Sequence, residues 1–138
     1  MENVLISACL LGIACRYDGK CGKFDLTGLK EKYNLIPICP EIYGGLTTPR
    51  IPSERVCDRV FMKDGTDVTE NYIRGAKIAY ELCKKFDCKL AILKSRSPSC
   101  SPNGIYDGSF QGFLVEGMGV TAEYLKARGI KVISEEDL

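Results

Sequence analysis

The chain of 138 residues contains no histidine. Without imidazole there is no Ser-His or Cys-His nucleophile pair, no mixed Cys/His zinc site and no histidine proton shuttle. Proton transfer near neutral pH must then use carboxylates, thiols, hydroxyls, lysine or metal-bound water. Neither sign of charge dominates, since Lys plus Arg number 19 and Asp plus Glu number 18. No long basic run stands out, so extended nucleic-acid binding is not expected, while a small charged ligand held by one or two arginines fits. Long apolar runs are missing as well. "VLISACLLGIAC" (4–15) is too short to span a bilayer, and Glu2 stands where a leader peptide would be basic. A cytoplasmic protein with no membrane partner is the expectation. With no repeat, low-complexity tract or linker, residues 1–138 read as a single domain long enough to bury a core.

What the chain has instead is cysteine, at eight positions. In a compartment that keeps thiols reduced, these read as metal ligands, catalytic groups or core residues before disulfide partners. Cys9 and Cys15 in "SACLLGIACRYDG" (7–19) are therefore the first pair to place.

Periodicity supplies the places. "NVLISA" (3–8) reads as a strand, "DLTGLKEKY" (25–33) as a short helix and "LIPIC" (35–39) as a second strand. Pro37 weakens that strand unless it lies on an edge, because proline cannot donate to a ladder. "RVFMK" (59–63) suggests another short strand. Over 68–87, Tyr72, Ala76, Ala79, Cys83 and Phe86 recur at helical spacing, with Asp67 and Glu70 as a capping pair. "KLAILK" (89–94) is an apolar strand, 120–128 a helix ending in Lys126, Arg128 and Gly129, and "KVIS" (131–134) a closing strand.

Strands alternating with helices predict an α/β fold with a mainly parallel, Rossmann-like sheet flanked by helices. Ligands collect at the carboxyl ends of such strands. Cys9 and Cys15 follow the first strand, Cys39 and Glu41 end the second, and Ser97 and Cys100 follow "KLAILK". Cys83 and Cys88 read as small buried hydrophobes, and Cys21 and Cys57 have no assignment. Four thiolates around zinc are one reading, but the paired C-x-x-C knuckles of structural zinc sites are absent. An iron–sulfur cluster is another, although neither ferredoxin spacing occurs. Three thiolates would leave one iron open to substrate, whereas a fourth from Cys39 would close the cluster for electron transfer.

The blocks "SACLLGIACRYDG", "CPEIYGGLTTPR" (39–50), "GTDVTENYIRGA" (65–76), "ILKSRSPSC" (92–100), "IYDGSFQG" (105–112), "GVTAEYL" (119–125) and "GIKVIS" (129–134) follow one another along nearly the whole chain. Together they resemble the DUF523 family, which includes the bacterial thiouracil desulfidases. That resemblance implies an oxygen-sensitive 4Fe-4S cluster held by three cysteines only, matching Cys9, Cys15 and Cys100, with one iron not ligated by protein. It further implies that this iron takes the sulfur of a thiolated pyrimidine base or nucleotide. Glu41, in the C-P-E motif, and Ser97, three residues before Cys100, match the family's catalytic residues.

The implied reaction is hydrolytic desulfuration of 2- or 4-thiouracil, or a thiouridine nucleotide, to the oxo form with release of sulfide. The chemistry is consistent with the residues. A thiocarbonyl sulfur is soft and suits an iron surrounded by sulfide and thiolate, which would polarise the C=S carbon. Glu41 could take a proton from water, and Ser97 could hydrogen-bond a ring nitrogen, the exocyclic oxygen or the water. Against this stand an electron-transfer iron–sulfur protein and a non-catalytic metal-binding module. Arg16, Arg50 and Arg96 read as solvated residues or contacts to a nucleotide phosphate.

Overall fold

The apolar run near the N-terminus forms β1 (Glu2–Ser7) in a computed structural model that describes residues 1–21 and 24–138. A 3-10 turn, Ala8–Leu11, follows at once and is closed by Gly12 at φ 85°, a left-handed conformation open to glycine at little cost. α1 (Thr27–Lys32) leads into β2 (Tyr33–Ile38), and Cys39 then caps the short α2 (Pro40–Tyr43), with Pro40 in the first turn where a missing N–H costs nothing. β3 (Ser53–Val56) and β4 (Arg59–Met62) pair as an antiparallel hairpin ahead of α3 (Thr69–Lys85). β5 (Leu90–Ile92) is followed by a second small hairpin of β6 (Ile105–Tyr106) and β7 (Leu114–Val115). α4 (Val120–Ala127) and β8 (Lys131–Ile133) complete the main elements.

The main sheet has the order β2-β1-β5-β8, and every pairing in it is parallel. The chain leaves β1 for β2 on one side and later passes to β5 on the other. A crevice therefore opens at the carboxyl ends of β1 and β5, where the direction of winding reverses. Side chains of a strand alternate between faces. Val4 and Ile6 pack with Leu10 and Leu26 on one face, while Leu5 packs with Ala79, Cys83, Ala122 and Leu125 beneath α3 and α4. Val4, Leu5 and Ile6 are all fully buried, each contributing about 1.5–3 kcal/mol. Coverage of both faces explains why β1 reads as a continuous apolar run.

The expected α/β architecture is present, with local differences that have physical reasons. Pro37 lies within β2, which is an edge strand and tolerates the lost donor. Tyr72, Ala76, Ala79 and Cys83 form the buried face of α3, but Phe86 caps its end and is 40% exposed. The Asp67–Glu70 capping pair does not form. Asp67 instead accepts the Thr69 N–H at 2.9 Å and the Thr69 hydroxyl at 2.6 Å, and pairs with Arg59 through its other oxygen. β3 and the β6–β7 hairpin were outside the sequence expectations, because such short strands carry too few residues to show a period of two. No helix among the described residues is long and apolar enough to cross a membrane.

Candidate active site

The site begins where β1 stops. The 3-10 turn carries Cys9 at the carboxyl end of the strand, and the Cys15 N–H, donating to the Ile13 carbonyl at 2.8 Å, folds the next loop back toward it. Cys9 and Cys15 are both buried. Across the winding reversal, the Lys94 N–H donates to the Ser7 hydroxyl at 2.9 Å, tying the end of β1 to the segment after β5. That segment brings in Ser97 and Cys100. The Ser97 hydroxyl oxygen accepts the N–H groups of Ser99 at 3.1 Å and Cys100 at 2.9 Å. With both acceptor positions used, its own proton is the one that can be donated, and it reaches the Cys100 sulfur.

Glu41 arrives from the end of β2 on α2, which is pressed directly against α3. A Cβ on Gly75 would lie 2.0 Å from the Pro40 carbonyl oxygen, and one on Gly44 would lie 2.0 Å from the Asn71 carbonyl oxygen. Asn71 also donates its side-chain amide to the Gly44 carbonyl at 2.8 Å. Only glycine permits backbones to approach this closely. Glu41 is held at both carboxylate oxygens, one accepting from Arg50 and the other from the Tyr72 hydroxyl.

Arg50 is itself anchored, donating to the Thr47 carbonyl and the Thr48 hydroxyl at 3.0 Å each. Its own N–H donates to the Tyr17 carbonyl at 2.7 Å, so the strap holding Glu41 also holds the loop beyond Cys15. Burial alone would lower the Arg50 pKa, but the Glu41 charge beside it raises it. Burial, reinforced by Glu41, pushes the Tyr72 phenol well above its ordinary value. Both groups therefore stay protonated as donors to the carboxylate at neutral pH.

These segments enclose a cleft of about 480 Å³. Cys9, Cys15, Cys100, Glu41 and Ser97 all line it, as does the half-buried Cys39. The expected site residues, scattered over three strand ends, are thus brought to one place. Of the three arginines, Arg50 is committed to Glu41. Arg16 makes a loose pair with Asp18 at 3.6 Å, and Arg96 is exposed on the cleft wall with a left-handed φ of 63°. Cys83 and Cys88 are buried in the core beneath α3, as their placement suggested, and Cys21 and Cys57 are exposed.

The thiols suit a soft metal. All eight cysteines are free, so none of the cleft thiols is consumed by a disulfide. Cys100 is pushed up to about 12, chiefly by burial. At Cys15 a hydrogen bond from Cys39 lowers the value, but the bond with Cys9 and burial outweigh it and bring it to about 11. Left without metal these two groups are protonated at neutral pH, so loading iron must release protons. No three His, Cys, Asp or Glu side chains among the described residues converge tightly enough for a single ion. Free thiols on one cleft, with Cys15 in hydrogen-bonding reach of both Cys9 and Cys39, are soft donors of the kind an iron–sulfur cluster takes.

Sequence reasoning missed two members of the site. Tyr72 shows only as a helix-face aromatic in the sequence, and its hydroxyl gives no periodic signal. Arg50 reads in the sequence only as a solvated residue or a phosphate contact, because nothing local in "TTPR" reveals that its guanidinium meets Glu41.

Buried thiols beside a clamped carboxylate, at the reversal point of a parallel sheet, have the makings of an iron–sulfur enzyme site. The chain belongs to the 2-thiouracil desulfurase family, whose model matches residues 4–137. It is 38% identical over 146 aligned positions to YbbK of Bacillus subtilis (strain 168), an uncharacterized protein, spanning 98% of this chain and 97% of that one. Among solved structures it is similar to the 4Fe-4S-dependent thiouracil desulfidase TudS, a DUF523 protein. The TM-score is 0.94 and the identity 40%, covering all of this chain and 93% of the other.

Proposed function

We propose that this protein hydrolyses the C=S bond of a thiolated pyrimidine such as 2- or 4-thiouracil, or a thiouridine nucleotide, giving the oxo form and sulfide. One observation carries the reading: three buried thiols, a doubly held carboxylate and a serine hydroxyl line one cleft in a member of this family. The 4Fe-4S cluster would be held by Cys9, Cys15 and Cys100, leaving one iron without a protein ligand, and would supply a soft Lewis acid for the thiocarbonyl sulfur.

Glu41 is the base. Its oxygens each have a lone pair beyond those engaged by Arg50 and Tyr72, and one of these accepts a proton as water adds to the C=S carbon. Collapse to the carbonyl then expels the sulfur as hydrosulfide, with the first proton passed to the leaving group and the proton of the added hydroxyl taken up by Glu41 and released to solvent. Water enters and hydrosulfide and a proton leave, so no electron donor or acceptor is consumed. Arg50 and Tyr72 keep the carboxylate in one orientation during both transfers, which is the positioning that makes a proton transfer efficient. Ser97 donates its hydroxyl proton to a polar edge of the ring.

Cys39 stays outside the ligand set in this reading because the family resemblance matches only Cys9, Cys15 and Cys100, although its thiol lies close by, 3.8 Å from the Cys15 carbonyl. Residues 1–138 would act as one desulfidase domain in the cytoplasm, where eight free thiols persist. Oxygen-free reconstitution with iron and sulfide tests the proposal. The loss of thiocarbonyl absorbance is followed for 2-thiouracil, 4-thiouracil and 4-thiouridine monophosphate. Turnover of at least one, abolished in Glu41→Ala with the cluster retained, is the expected result. A cluster-loaded protein that leaves all three unchanged would overturn the proposal.

A further inference from the structure

The loop joining β6 to β7 is held more firmly than a hairpin connection needs. Glu54 on β3 is 9% exposed, and its Oε1 accepts two backbone N–H groups from that loop, Gly108 at 2.9 Å and Phe110 at 3.1 Å. Asp107 adds bonds from the Ser109 N–H at 2.9 Å and hydroxyl at 2.6 Å. Gly108, at φ 97°, lies so close to Val56 that an added Cβ would come within 2.2 Å of its Cγ2. The outcome is Phe110 at φ 59°, a left-handed conformation that a bulky aromatic residue avoids unless its surroundings impose it.

Phe110 lines the cleft that holds the thiols, Glu41 and Ser97. Of the other aromatic residues there, Tyr72 is buried and spends its hydroxyl on Glu41, Tyr17 is 43% exposed on the outer loop, and Tyr106 on β6 carries a polar hydroxyl. A pyrimidine has polar edges and flat apolar faces. Glu41, Ser97 and the thiols serve the edges, while a planar aromatic ring with no polar handle suits a face.

We infer that Phe110, locked in place by the Glu54 carboxylate, is the wall on which the substrate's heteroaromatic ring stacks, which makes Phe110 a specificity-determining residue and Glu54 a positioning residue. This rests on the desulfidase reading for its substrate class. Stacking of a base on an aromatic side chain is lost when the ring is removed at roughly a five- to hundredfold cost in binding.

The test uses cluster-loaded protein, with KM and kcat for 4-thiouracil and equilibrium dialysis against 4-thiouracil and uracil. Phe110→Leu should weaken binding of both ligands and raise KM about tenfold, while kcat falls less than threefold. Phe110→Tyr should stay close to wild type. Glu54→Ala should reproduce Phe110→Leu, and Glu54→Gln, which keeps an acceptor oxygen, should recover most of the loss. Phe110→Leu binding both ligands as wild type does would overturn the wall and leave the desulfidase reading standing. Wild-type protein that binds 4-thiouracil without converting it, with binding weakened in Phe110→Leu, would support the wall and overturn the desulfidase reading alone.

Discussion

Replacing Arg50 with methionine removes the cation that faces Glu41 and leaves the carboxylate in a site with little water to replace it. The Arg50 side chain is 3% exposed and that of Glu41 15%. Breaking a buried pair from one side costs about 3–5 kcal/mol, because the remaining charge is desolvated and unpaired. The two bonds from Arg50 to Thr47 and Thr48 are lost at the same time. Set against the roughly 5–15 kcal/mol that stabilises a typical domain, such a loss is a large fraction of the whole. Urea unfolding under reducing, oxygen-free conditions should show it as a lower midpoint at unchanged slope. Adding Glu41→Gln to Arg50→Met removes the orphaned charge, so the double variant should regain about 2 kcal/mol relative to Arg50→Met alone. If Arg50→Met stays within about 1 kcal/mol of wild type, or the two changes simply add, the buried clamp is not what holds Glu41.

Gly75→Ala should destabilise by roughly 1–3 kcal/mol or more and lower turnover, because its Cβ meets the Pro40 backbone that carries Glu41. Gly28→Ala, with nothing within 4 Å of the added methyl, is the control and should be neutral or slightly stabilising in thermal melts. Glu135 governs an acid-sensitive contribution, because it accepts the Ser95 N–H at 2.7 Å and hydroxyl at 2.8 Å beside Lys94. Burial alone would raise its pKa, but the Ser95 bonds and Lys94 outweigh it and lower the value below 4.5. Its stabilisation is then complete above the unfolded value and lost as pH falls through the lower folded one. Wild type should exceed Glu135→Gln by roughly 1–3 kcal/mol at pH 7 and converge with it on acidification, whereas a gap independent of pH would contradict the assignment.

How much of this was legible in the sequence depended on how far each feature reaches. The four sheet strands and α3 carry period or apolar density within a single segment, so Val4–Ile6 and Tyr72–Cys83 could be read directly. The strand-end rule then placed Cys9, Cys15, Cys39, Glu41, Ser97 and Cys100 at one edge, and all six line the cleft. Contacts between distant segments left no such trace. The Arg50–Glu41–Tyr72 clamp joins three segments, and the bonds from Glu54 to the 108–110 backbone join positions more than fifty residues apart. The left-handed Phe110 was hidden for a different reason, since "DGSFQG" reads as an ordinary glycine-rich turn until its anchor is seen.

The central proposition is an iron–sulfur cluster carried on three of the four cleft cysteines. The direct measurement is iron and sulfide content after oxygen-free reconstitution of Cys9→Ser, Cys15→Ser, Cys39→Ser and Cys100→Ser. Loss of iron in the first, second and fourth, with Cys39→Ser loading close to wild type, is the expected result. Loss in Cys39→Ser with full loading of Cys100→Ser would contradict it.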